Sequence, residues 1–191
     1  MKRFLLIPLI AGSAFASASV VNGSFEVPNN GSGWGQSAND GLPGGWYAEV
    51  DSLEIGAGSV YGVTGYTGNQ VLELDSSANA KVSQMVGSIV GSNVITFDGA
   101  ARSGVASSSL GIDVLWNDVV VGSFNPASTA FQSYSIVVTG SGSDKLSFVG
   151  TGTSDSFGSL IDNVDVQAVP EPMSMLVIGT GVAAMLRRRR K

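Results

Sequence analysis

Carboxylates, hydroxyls, amides and aromatic rings carry whatever chemistry this chain performs, because its 191 residues include neither histidine nor cysteine. That excludes Ser-His-Asp triads, histidine acid–base catalysis, histidine- or cysteine-ligated zinc and thiol redox chemistry. A Ser-Lys nucleophile fails too, since neither Lys81 nor Lys145 has a serine three residues before it. Paired carboxylates hydrolyse glycosidic bonds, but no spacing here singles out a pair, and the expectation is a chain that is not an enzyme. Gly31-Ser32-Gly33-Trp34-Gly35 follows no predicted strand and opens no helix, so it fails as a phosphate loop. Recognition without catalysis is left. Aromatic faces flanked by amides and carboxylates stack on pyranose rings. Trp34, Tyr61, Tyr66 and Phe157 fall in expected loops and are candidate faces, with Asn39, Asp40, Asn69, Gln70, Arg102 and Asp155 as polar partners. Phe25, Trp46, Phe97, Trp116 and Phe148 fit the alternating apolar set and are expected in the core.

Charge narrows the partners. Seven of the ten basic residues lie in the two end segments, and between Ser19 and Pro170 only Lys81, Arg102 and Lys145 face fourteen carboxylates, a net charge of −11. Such a surface repels nucleic acid and anionic lipid and favours cations, calcium in particular. With no disulfide available, stability has to come from the core, which a domain of about 150 residues is large enough to supply.

The elements that must position these side chains read as strands. Short apolar runs alternate with Gly, Ser, Asn and Thr, and no long segment has helical period. Strands are expected at 46–55, 71–74, 80–86, 93–101, 111–116, 119–124, 132–139, 145–149 and 159–167, with the first 45 residues largely irregular. Ile112, Val114 and Trp116 share one face, and Asn117-Asp118 is a two-residue hairpin signal before Val119. That strand number in one domain points to an all-β, antiparallel two-sheet sandwich of jelly-roll type; an immunoglobulin-like sandwich is the alternative.

Both ends read as addresses. Lys2-Arg3, an apolar run and two overlapping A-x-A sites at 14–16 and 16–18 have the order of a signal peptide over residues 1–18. Residues 19–168 form the expected domain. Pro170-Glu171-Pro172, an apolar stretch at 173–186 and the basic run Arg187, Arg188, Arg189, Arg190 and Lys191 close the chain. The stretch makes a helix of about 21 Å, short of a ~30 Å hydrocarbon core. The three-part order resembles the PEP-CTERM sorting signal, over residues 169–191. That resemblance implies transient holding in the inner membrane, cleavage near the tripeptide by an exosortase, and a destination at the cell surface or outside the cell, in company with extracellular polysaccharide.

Asn22-Gly23-Ser24-Phe25-Glu26 near the start, Gly45-Trp46, and Leu160-Ile161-Asp162-Asn163-Val164 near the end resemble the galactose-binding-like jelly roll of many carbohydrate-binding modules. This resemblance implies that the first and last strands meet at a structural calcium ligated by Glu26 and Asp162, with Ser24 nearby and Glu49 as a further ligand. Asn163 stands where a second aspartate is frequent, which lowers the ligand charge. The function expected is a non-catalytic, exported module that binds exopolysaccharide. The alternative is a structural envelope or biofilm protein that assembles with other proteins.

Overall fold

Alternating apolar residues become strands when a second sheet is available to bury one face. A computed structural model describes residues 20–38 and 45–169, which leaves the expected signal peptide and C-terminal helix outside the described residues. Eleven strands form: β1 (Trp34–Ala38), β2 (Tyr47–Val50), β3 (Ser52–Ala57), β4 (Gln70–Glu73), β5 (Lys81–Val86), β6 (Gly91–Ala101), β7 (Ile112–Trp116), β8 (Val119–Phe124), β9 (Gln132–Gly140), β10 (Asp144–Gly150) and β11 (Ser159–Ala168). A six-stranded sheet runs β1-β3-β4-β11-β6-β9 and a five-stranded sheet runs β2-β5-β10-β7-β8. Every pairing between these strands is antiparallel. The only helical element among the described residues is one 3-10 turn, Ser107–Ser109. The two-sheet sandwich is the fold the sequence predicts.

Two boundaries differ from expectation. The strand expected at 46–55 is two strands in different sheets, divided at Asp51, whose φ is +58°. Its carboxylate holds the bend by accepting hydrogen bonds from the Ser77 and Ala78 N–H groups at 2.8 and 3.0 Å. β1 falls in the segment expected to be irregular. It is an edge strand without apolar alternation, and Trp34 is 55% exposed, so pairing with β3 places it rather than burial. Asn117 and Asp118 both adopt positive φ in the β7–β8 turn, as the hairpin signal requires.

Phe25, Trp46, Phe97, Trp116 and Phe148 are buried between the sheets, as expected. A second, smaller cluster of Tyr61, Val63, Val71, Ala100 and Leu160, with Tyr66 and Phe131 against it, lies on the other side of the six-stranded sheet. The β3–β4 connection folds back over that face. β3 and β4 are consequently buried along their whole length.

Candidate functional site

Burial of both faces of β3 and β4 traps two carboxylates. Leu53 and Ile55 face the main core, so Glu54 between them faces the covering loop, and Glu73 does the same between Leu72 and Leu74. The two glutamates are register partners across β3 and β4 and share a hydrogen bond. Glu73 is fully buried, and Glu54 is 6% exposed. Charges placed there need partners. Arg102 Nη1 donates to both Glu73 carboxylate oxygens at 2.6 and 2.7 Å, and Gly158 N–H donates to one of them at 2.9 Å. Glu54 accepts from the Tyr61 hydroxyl at 3.2 Å and from Gln36 Nε2 at 3.1 Å. Burial, helped by the hydrogen bond that the protonated Glu73 carboxyl donates to Glu54, pushes Glu73 up to about 8 against the pull of Gly158 and Arg102. The pair therefore keeps a proton at neutral pH, and Arg102 balances the charge that is left. Burial and the two carboxylates also push the Tyr61 phenol well above its ordinary value.

An open groove lies over this floor. It encloses about 480 Å³ between Val60, Tyr61, Arg102, Ser103, Asp155 and Phe157. Past Tyr61 and Arg102 it continues into a recess of about 200 Å³ lined by Trp34, Gln36, Glu54 and Ser156. The Arg102 guanidinium sits 4.6 Å from the Phe157 ring centroid and 5.1 Å from that of Tyr61, a cation–π arrangement that fixes its height. Phe157 is 46% exposed, and the more exposed Trp34 stands over the recess.

Of the candidate ligand-binding residues, the structure gathers Trp34, Arg102 and Phe157 along one groove. Tyr61 lines it too, but as a correction to the expected exposed face: its ring is 2% exposed and its hydroxyl serves Glu54. Tyr66 is half-buried in an edge contact with Phe131 and is not among the residues lining the groove. Gln70 is buried and bonds the Phe25 and Pro28 carbonyls, away from the groove lining. Asn39 and Asp40 lie outside the described residues. Glu54, Glu73 and Gln36 escaped the sequence reading. Leu53-Glu54-Ile55 and Leu72-Glu73-Leu74, a carboxylate amid apolar residues in two successive strands, is the signal that identifies the pair.

The residues expected to hold calcium divide into two places. Glu26 Oε1 accepts from the Asn69 and Gln70 N–H groups at 2.7 and 2.9 Å, and Asp162 Oδ2 accepts from Thr67 N–H at 2.6 Å. Both carboxylates thus hold the same loop, and Ser24 lies in the turn just before Glu26. Burial pushes Asp162 up to about 6, with Asp98 and Glu26 adding to it against the Thr67 and Asn163 N–H groups. Glu49 sits in the other sheet, 2.7 Å from Lys81 and 2.9 Å from Lys145. Among the described residues no three acidic side chains cluster as a metal site.

Comparison with known proteins gives an address and a fold. Residues 168–191 match the PEP-CTERM protein-sorting motif, which implies export, surface sorting and handling by an exosortase. Over 149 residues the chain is 36% identical to a multifunctional-autoprocessing repeats-in-toxin protein of Vibrio cholerae and 34% identical to one of Vibrio vulnificus. That stretch is 76% of this chain, and the chain spans 3% of the length of these curated relatives. Solved structures with a similar fold include the CBM22-1 xylan-binding domain of Paenibacillus barcinonensis Xyn10C, with TM-score 0.47, 15% identity and coverage of 71% of this chain and 93% of that one. TmCBM61 in complex with β-1,4-galactotriose has TM-score 0.47, 14% identity and coverage of 78% and 96%.

Proposed function

We propose that the sandwich is an exported, non-catalytic module that binds extracellular polysaccharide in the groove between Trp34 and Phe157, with exosortase processing of its tail after transient anchoring. The observation that carries this reading is a pair of exposed aromatic rings at the two ends of one groove, over a floor of fixed polar groups from Gln36, Glu54 and Arg102. Rings supply apolar faces for pyranose C–H groups, and a rigid floor supplies directional hydrogen bonds at little entropic cost. The glutamates favour binding over hydrolysis: glycosidases keep their two carboxyls about 5 Å or more apart, whereas Glu54 and Glu73 are hydrogen-bonded to each other. Glu26 and Asp162, with Ser24, stay the expected structural calcium ligands, supported by the loop they jointly hold.

The test is affinity electrophoresis and calorimetry of the chain against the host's extracellular polysaccharide and defined glycans. Trp34→Ala and Phe157→Ala should each weaken binding roughly tenfold through lost ring burial. Binding that survives the double variant unchanged would refute the groove.

One observation favours assembly as a second reading. Edge strand β8 exposes Val119 and Val120 at 65% and 52%, and edge strand β9 exposes Val137 at 69%. Unpaired strand edges carrying apolar side chains pair readily with other chains. Concentration-dependent oligomers lost on Val120→Lys, with no glycan bound, would decide for it.

A further inference from the structure

The turn between β4 and β5 holds two buried oxygens that the protein leaves without a donor. Leu74 O accepts from Ala80 N–H at 2.9 Å, and within that bond Asp75 and Asn79 form an isolated antiparallel bridge. A bridge flanked in this way is a non-hydrogen-bonded pair, the arrangement that brings facing side chains closest. Both side chains reach into the β10–β11 loop. Asp75 Oδ2 accepts from Asp155 and Ser156 N–H at 2.9 and 3.1 Å, while Asn79 Nδ2 donates to Gly152 O at 3.0 Å. The packing is close, for a Cβ on Gly158 would lie 2.8 Å from Asp75 Cβ. What remains is Oδ1 of Asp75 and Oδ1 of Asn79, each buried and unpartnered.

These two atoms cannot satisfy each other, because both are acceptors. Turning the Asn79 amide over does not help, since it would set an oxygen against Gly152 O. An unpaired carboxylate oxygen on a residue with no exposed surface carries a large desolvation cost. A hard cation relieves both at once: calcium takes carboxylate, amide and main-chain oxygens together and completes its shell with water.

We infer that Asp75 and Asn79 form a calcium site that fastens the β4–β5 turn to the β10–β11 loop. One carboxylate among neutral oxygens makes a weak site, of the order of 10⁻⁴–10⁻³ M, the range of extracellular modules. The loop it fastens carries Asp155 and Phe157, so the ion sets one wall of the groove. The site is separate from Glu26 and Asp162, and it stands whether or not the groove binds sugar.

The test is thermal melting of the full chain in chelator and in 10 mM calcium chloride (about ten or more times the expected Kd). The wild type should rise by about 4 °C. Asp75→Asn keeps an oxygen for the Asp155 and Ser156 N–H groups and turns a donor toward Asn79, so it should melt in chelator no lower than wild type and lose this site's part of the rise, keeping only what Glu26 and Asp162 contribute. Asn79→Asp adds a second carboxylate and should enlarge the rise. Glu26→Gln should keep the part of the rise that Asp75→Asn loses. A wild type that ignores calcium means a bridging water at most and overturns the site. So does an Asp75→Asn variant that responds as fully as wild type, or a response lost in Glu26→Gln alone.

Discussion

Each sheet carries one cluster of acids and cations on its outer face, and the two behave oppositely. On the five-stranded sheet, Glu49 and Asp118 meet Lys81 and Lys145 at 2.7 to 2.9 Å. On the six-stranded sheet, Glu54 and Glu73 meet Arg102 alone among the described residues. Burial works to raise Glu49, but hydrogen bonds from the two lysines outweigh it and hold it at about 2. The same burial wins at Glu73, which rises to about 8. Water and stoichiometry make the difference: two cations serve two wet acids in one cluster, and one cation serves two covered acids in the other. Arg102, Lys81 and Lys145 are all paired, so no unpaired cation is left among the described residues. An anionic polymer would have to displace one of these carboxylates to gain a salt bridge.

Breaking the covered cluster should give the largest effect. Arg102→Ala leaves a buried acid pair without its cation and should cost about 3–5 kcal/mol in urea unfolding, with loss of the groove wall under Phe157. Next comes pH. The folded state holds the Glu73 proton more tightly than the unfolded chain, so its contribution is complete below about 4.5 and is lost as pH rises to about 8. Stability measured in chelator should fall across that window, and Glu73→Gln, which imitates the protonated acid, should flatten it. At the acid end the strongly hydrogen-bonded carboxylates of the five-stranded sheet dominate. Glu49 and Asp144 both sit near 2, Asp144 because hydrogen bonds from Ser88, Asn117 and Ser141 overcome its burial. Their contribution is present above their ordinary values and is lost as pH falls toward 2, giving a second decline that Glu49→Gln should reduce. The smallest effect belongs to Lys145→Ala, under about 1 kcal/mol and diminished at 1 M salt. A cost comparable to Arg102→Ala would erase the distinction between the two faces.

The strands were largely legible because period-two alternation records burial on one face, as Ile112, Val114 and Trp116 show. Legibility failed where that premise fails. β3 and β4 are covered on both sides, so Glu54 and Glu73 occupy positions that alternation assigns to solvent. Tyr61 looked like an exposed loop aromatic, and it is buried because its loop is the cover. β1 has too little apolar character to register, although Trp34 itself was found as a candidate face. Asp51 divides two strands by a backbone φ that no apolar pattern encodes. The gathering of Trp34, Arg102 and Phe157 depends on strand β1 and the loops after β6 and before β11 meeting over one face of the sheet, which is a fact of topology rather than of local sequence.

The last strand also sets a distance. Ala168 still pairs with Asn93, and Val169 N–H donates to Ser92 O at 2.9 Å, so the sheet holds the chain up to the residue before Pro170. A cut within Pro170–Pro172 leaves at most about 10 Å of slack. On the processing proposed above, the protease would work close to a folded wall, and the turn that opens β6, with Val90 79% exposed, is the part of that wall beside Val169. Lengthening this tether by a few residues should relieve the crowding and speed tail removal, and the rate of that step becomes a ruler for how closely domain and membrane approach.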